Sequence, residues 1–199
     1  HIFITGTELV DNRLEVDRIG DDAVLRAAVA AVDDRIVSVH RRSATYATLL
    51  FGATSVMYSV EGVDFAAETE FAKGLQVREG TDVFDESTDP QALVLPASVA
   101  ERLGVIVGET VLVRLQTVTG QQNVGEFVVA AITEEMEGFG LSAAYTSLAY
   151  LNSLLGLGPT EYQMFNVVVR DMRDIDAVAD EMYAALKAAG ALVERPYVE

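Results

Sequence analysis

Residues 92–115 read ALVLPASVAERLGVIVGETVLVRL, and the organisation of the whole chain turns on them. Ala92 to Leu95 is an unbroken apolar run, short enough for a buried strand. Pro96 sits at the first turn of a short helix, where its missing N–H is harmless. Val99 and Leu103 lie on one side of that helix, and Gly104 ends it. Val105 to Thr110 contains Gly108 and reads as a turn. Val111 to Leu115 and Phe127 to Ile132 make an antiparallel pair across the polar, Gly-containing loop Thr117 to Gly125. This middle stretch predicts a small β-rich subdomain of its own. The sharpest change of composition falls just before it, at Arg78 to Pro90, where acids, Thr and Ser replace apolar residues.

On both sides the period changes from strand-like to helical. Asp21 to Asp34 carries Leu25, Ala28, Val29 and Val32 at i, i+3, i+4 and i+7, one apolar helical stripe, with Asp21 or Asp22 able to cap its start. Arg35 to Ser43 and Leu49 to Val60 are β-branched and apolar, and read as a hairpin or two strands with the connection near Thr48 to Gly52. Ile2 to Ile4 supplies an opening strand and so a β-α-β unit. Near the other end, Phe165 to Val169 is a strand. Asp171 and Asp174 offer cap chemistry to a helix from Ile175 to Ala189, Gly190 stops it, and Ala191 to Val193 reads as the next strand. Two β-α-β units therefore flank the β-rich middle.

Composition narrows the function. The chain has 199 residues, with 14 Lys and Arg against 31 Asp and Glu, a net charge of −17, yet half of it is hydrophobic. High charge with low hydrophobicity marks disorder, and this chain lacks the second half of that signature. A compact chain of this length buries roughly 70% of its unfolded surface, enough for one large core or two modest ones. Phosphate binding needs a basic patch, and Lys occurs only at Lys73 and Lys187, so nucleic acid is not a partner. Anionic lipid headgroups would repel the chain as well. With no Cys and two His there is no disulfide, thiolate cluster or thiol nucleophile, and no metal or cofactor is expected. The uncharged stretches Ser43 to Val60 and Gly138 to Thr160 reach the length of a membrane helix but are interrupted by Ser, Thr and Gly, and are read as parts of a soluble fold.

Candidate chemistry is sparse. His40 is the one internal base, beside Arg41 and Arg42 in a predicted strand, and is read as a solvent-facing residue. No Gly-x-Ser-x-Gly elbow and no phosphate-binding Gly-Lys-Ser/Thr loop is present. Asp82, Asp85, Glu86 and Asp89 offer oxygen ligands but lack the alternating order of a calcium loop. Glu134, Glu135 and Glu137 follow a strand directly and read as a turn. The candidates for partner or cargo contact are apolar: Leu49, Leu50 and Phe51 at the expected hairpin tip, and Phe139 with Leu141 in an uncharged, Gly-flanked loop. Core packing is the competing reading for all five.

Certain strings carry more than periodicity does. Glu61-Gly62-Val63-Asp64-Phe65 ends a strand. Leu93-Val94-Leu95-Pro96, Leu103-Gly104-Val105 and Val107-Gly108-Glu109-Thr110-Val111-Leu112-Val113 follow. Then come Phe127-Val128-Val129-Ala130-Ala131-Ile132, Ala144-Tyr145-Thr146-Ser147-Leu148, Leu154-Leu155-Gly156 and Asn166-Val167-Val168-Val169. In this order and spacing, over about Asp21 to Val193, the chain resembles the extracytoplasmic core domain of ABC transporter permeases of the MacB, FtsX and LolC/LolE type.

The resemblance implies an α+β fold: a porter-like subdomain of two β-α-β units, about residues 1–64 and 145–199, with an inserted β-rich, Sabre-like subdomain at about 65–144. It implies a non-enzymatic domain on the extracytoplasmic (periplasmic or outer) face of the membrane, whose two ends, beginning at His1 without an initiator Met, continue into membrane helices. A permease partner or a second copy would pair with it. A separate cytoplasmic ABC ATPase subunit would hydrolyse ATP, and a lipoprotein or other hydrophobic cargo would be exported or released. Members that recruit a periplasmic chaperone carry a long, Pro-containing protrusion in the inserted region. Thr117 to Gly125 is short and has no proline, which speaks against direct chaperone recruitment. The alternative is a membrane-flanked extracytoplasmic ligand-binding or sensor domain with an apolar pocket between subdomains.

Overall fold

The computed structural model describes residues 1–10, 14–82, 84, 89–135, 143–191 and 193. In chain order they form β1 (Ile2–Thr5), β2 (Thr7–Val10), β3 (Leu14–Asp17), α1 (Ala23–Ala30), β4 (Ile36–Phe51), β5 (Thr54–Val63), α2 (Thr69–Gly74), β6 (Val77–Gly80) and β7 (Ala92–Pro96). There follow α3 (Ala97–Leu103), β8 (Thr110–Gln116), β9 (Gln122–Thr133), β10 (Ala144–Ser147), α4 (Leu148–Leu155), β11 (Met164–Val169) and α5 (Ile175–Ala188). Among the described residues, no helix is long and apolar enough to cross a membrane.

The ends of the chain build one layer. β11 lies between β1 and β4 and runs antiparallel to both, with Ile2 opposite Val167 and Arg42 opposite Met164. β1 and β4 therefore run parallel with a strand between them, a split β-α-β arrangement. Helices α1 and α5 cover one face, and Val29 and Val32 meet Phe165, Val167, Val178 and Met182 in a core of their own. A β2–β3 hairpin, absent from the sequence reading, is inserted between β1 and α1. The strand expected at Ala191 to Val193 runs through a residue outside the described set.

The middle of the chain closes on itself. β4 pairs with β5, β5 with β10, β10 with β7, β7 with β9, β9 with β8, and β8 with β4 again. Leu49, Val60, Leu93, Leu95, Val111, Val113 and Phe127 point inward from this ring and meet Val99 and Leu103 of α3 and Leu151 and Leu155 of α4. A third, smaller core lies outside the ring, where Phe65, Phe71 and Leu75 cover Val63, Val94, Ala131 and Tyr145. The β-rich subdomain is thus present, and its core draws in β5 and α4, which the expected division assigned to the terminal units.

β4 links the two layers. The predicted break at Thr48 to Gly52 is replaced by one sixteen-residue strand whose turn comes only at Gly52 and Ala53. Thr48 to Phe51 lack turn chemistry, and Gly52 is the first residue with the positive φ, 55°, that reverses the chain. At about 3.3 Å per residue the strand is roughly 50 Å long. Its first half pairs with β11 in the terminal layer, and its second half with β5 and β8 in the ring. The connection expected at Thr117 to Gly125 is also shorter than read: β9 starts at Gln122, and the loop is closed by the Thr117 N–H donating to Gln121 at 2.7 Å.

Candidate functional site

The two layers exchange β4 at residues 40–43, and the sequence places His40, Arg41 and Arg42 there. Neighbouring strand residues face opposite ways, so the two arginines serve opposite sides. Arg41 faces the start of α1. Its Nε and Nη2 donate to Asp22 Oδ2 at 3.2 and 2.8 Å, and its guanidinium lies 5.1 Å from the centre of the Tyr162 ring. The same Asp22 oxygen accepts the Tyr162 hydroxyl at 3.1 Å and lies 3.0 Å from Arg26 Nη2. Burial opposes the charge of Asp22, but the bonds from Arg26, Arg41 and Tyr162 outweigh it and hold its carboxyl below the ordinary value. The cap role falls to Asp21 alone, whose Oδ1 accepts the Ala23 N–H at 2.9 Å.

Arg42 faces the other way into a drier setting. It donates through Nε to Glu68 Oε1 at 3.0 Å, through Nη2 to Glu68 Oε2, and through Nη1 to Glu61 Oε1 at 2.7 Å. The Phe71 ring stacks on it, 4.4 Å from Cζ to the ring centre. Arg42 is 7% and Glu68 4% exposed. Burial works against the charge of Arg42, and the bonds to Glu68 and Glu61 more than restore it. His40 lies on the same face, its Nε2 2.7 Å from Ser38 Oγ and its Nδ1 4.0 Å from Glu68 Oε2. It is therefore packed against the ion cluster, and the expectation of a solvent-facing side chain is corrected.

The string Glu61 to Phe65 now has a physical account. Glu61 reaches Arg42. Gly62 lies against α4, where an added Cβ would stand 3.0 Å from the Cα of Leu148. Asp64 shapes the turn that presents Glu68: its Oδ1 accepts the Ala67 N–H at 2.9 Å and its carbonyl the Glu68 N–H at 2.8 Å. Val63 and Phe65 enter the third core. Such a site holds geometry. Its charges are consumed in bidentate pairing, and no group of three or more acids or histidines among the described residues is placed to hold a metal.

The predicted contact residues fare unequally. Leu49 is fully buried in the ring core. Its side chain is packing, and the reading of it as a surface contact is corrected. Leu50 and Phe51 are half-buried at the end of the β4–β5 hairpin, and Phe51 leans on the same core. Phe139, Leu141, Asp85, Glu86 and Glu137 lie outside the described residues. Asp82 is exposed. Glu135 accepts the Ser98 N–H at 3.1 Å at the start of α3, and Glu134 lies 4.0 Å from Arg78, so both serve the end of β9; the turn expected there runs on into residues outside the described set. An open groove of about 1020 Å³ lies between β1, the β2–β3 hairpin and α5, where Ile4, Leu9 and Tyr183 line it. It is at the margin of the terminal layer and not between the two cores, where a sensor pocket was expected.

Residues 4–185 match the family described as the MacB-like periplasmic core domain. The chain belongs to that family. This MacB-like domain is an extracytoplasmic domain of an ABC transporter permease, and the family is not a catalytic one. Two solved structures share its fold. One is the extracellular domain of the ABC-type transporter YknZ from Gram-positive bacteria, 16% identical over 87% of this chain and 86% of that one, with a TM-score of 0.59. The other is the periplasmic region of MacB from Actinobacillus actinomycetemcomitans, 16% identical over 95% and 83%, with a TM-score of 0.57. No curated protein matches the sequence of this MacB-like domain.

Proposed function

We propose that the domain transmits force. Paired with a second permease or a second copy, it would convert closure driven by a cytoplasmic ATPase subunit into export or release of a hydrophobic or lipoprotein cargo. The observation that carries this reading is β4, one strand common to both cores, clamped at its crossing point by Arg41–Asp22 on one side and Arg42–Glu61–Glu68 on the other. The Arg42–Glu68 pair is buried and bidentate, and such a pair fixes orientation more than it adds net stability. A displacement of the terminal layer is thereby passed to the ring as a rigid movement. The short, proline-free Thr117–Gln121 loop supports a role without direct recruitment of a chaperone.

The test uses the complete permease reconstituted in vesicles with its ATPase. Glu68→Gln and the milder Arg42→Lys are expected to leave ATP hydrolysis near its starting rate while export of a lipidated peptide falls at least tenfold. Circular dichroism of the variants establishes that they are folded. Full export by a folded Glu68→Gln variant would overturn the reading.

A further inference from the structure

We draw no further inference here: the strongest candidate, the open groove along β1 between the β2–β3 hairpin and α5, is lined by Ile4, Leu9 and Tyr183, and nothing among the described residues shows what covers it.

Discussion

Arg42 and Glu68 are joined through both arms of the guanidinium and both oxygens of the carboxylate, with each residue less than a tenth exposed. Removing one partner strands the other as a buried charge, which costs about 3–5 kcal/mol in comparable sites. Glu61 remains to accept from Arg42, so the lower end of that range is expected for Glu68→Gln. Arg42→Met should be worse, because Glu61 and Glu68 would then face each other unneutralised. Urea denaturation of the two variants, compared at equal m-value, measures the difference.

Asp22 gives the junction an acid-side limit. Its carboxyl is held below the ordinary value in the folded chain, so the folded state binds its proton less readily than the unfolded state does. The stability it contributes is complete above the unfolded pKa of about 4 and is lost as pH falls through the lower folded value. Melting temperature measured downward from about pH 5 should therefore drop less steeply in Asp22→Asn than in the parent chain, while the variant is less stable at pH 7.

Gly62 tests how closely α4 must approach the ring. The added methyl of Gly62→Ala would meet Leu148 Cα at 3.0 Å and Leu151 Cδ2 at 3.2 Å, so backbone has to move. A loss of about 1–3 kcal/mol is expected, as for overpacked cores. Gly52→Ala offers a useful contrast, since nothing stands within 4 Å of its Cβ position and only the positive φ opposes it. Its loss should be about 1 kcal/mol.

Leu49 and Phe51 separate core from rim. Leu49→Ala empties a fully buried site and should cost about 2–5 kcal/mol. Phe51, half-buried at the hairpin end, should cost less when changed to alanine, and thermal denaturation of the pair ranks them.

Local chemistry made much of this legible. Gly104 and Gly190 end helices where the sequence places the stops, and Ala92 to Leu95 is buried throughout. The two-layer α+β plan followed from where helical and strand periods alternate. What local pattern cannot carry is adjacency. β11 enters between β1 and β4, and no periodicity in either segment says so. The charged junction was missed for the same reason, because Asp22, Arg42, Glu61, Glu68 and Tyr162 come from five separate elements or loops. One signal was available: two consecutive arginines inside an apolar strand of an acid-rich chain have to find carboxylates on both faces. Leu49, Leu50 and Phe51, expected at the hairpin connection, are instead the last paired residues of β4, and strand alternation turns Leu49 inward and leaves Leu50 on the outer side.

The position of β11 also sets an order in time. Among the described residues of the terminal layer β1 pairs only with β11, Ile2 opposite Val167, and the first half of β4 has the same partner. A ribosome adding about 5–20 residues per second takes roughly ten to thirty seconds to travel from β1 to β11. Through that interval the earliest strand has no edge to join, and the apolar stripe of α1 has no complete layer to cover. The middle ring also stays open until residues 144–147 arrive, because β10 closes the gap between β5 and β7. The domain consequently finishes folding from its last third inward, and its first strand depends longest on whatever shields an unfinished chain.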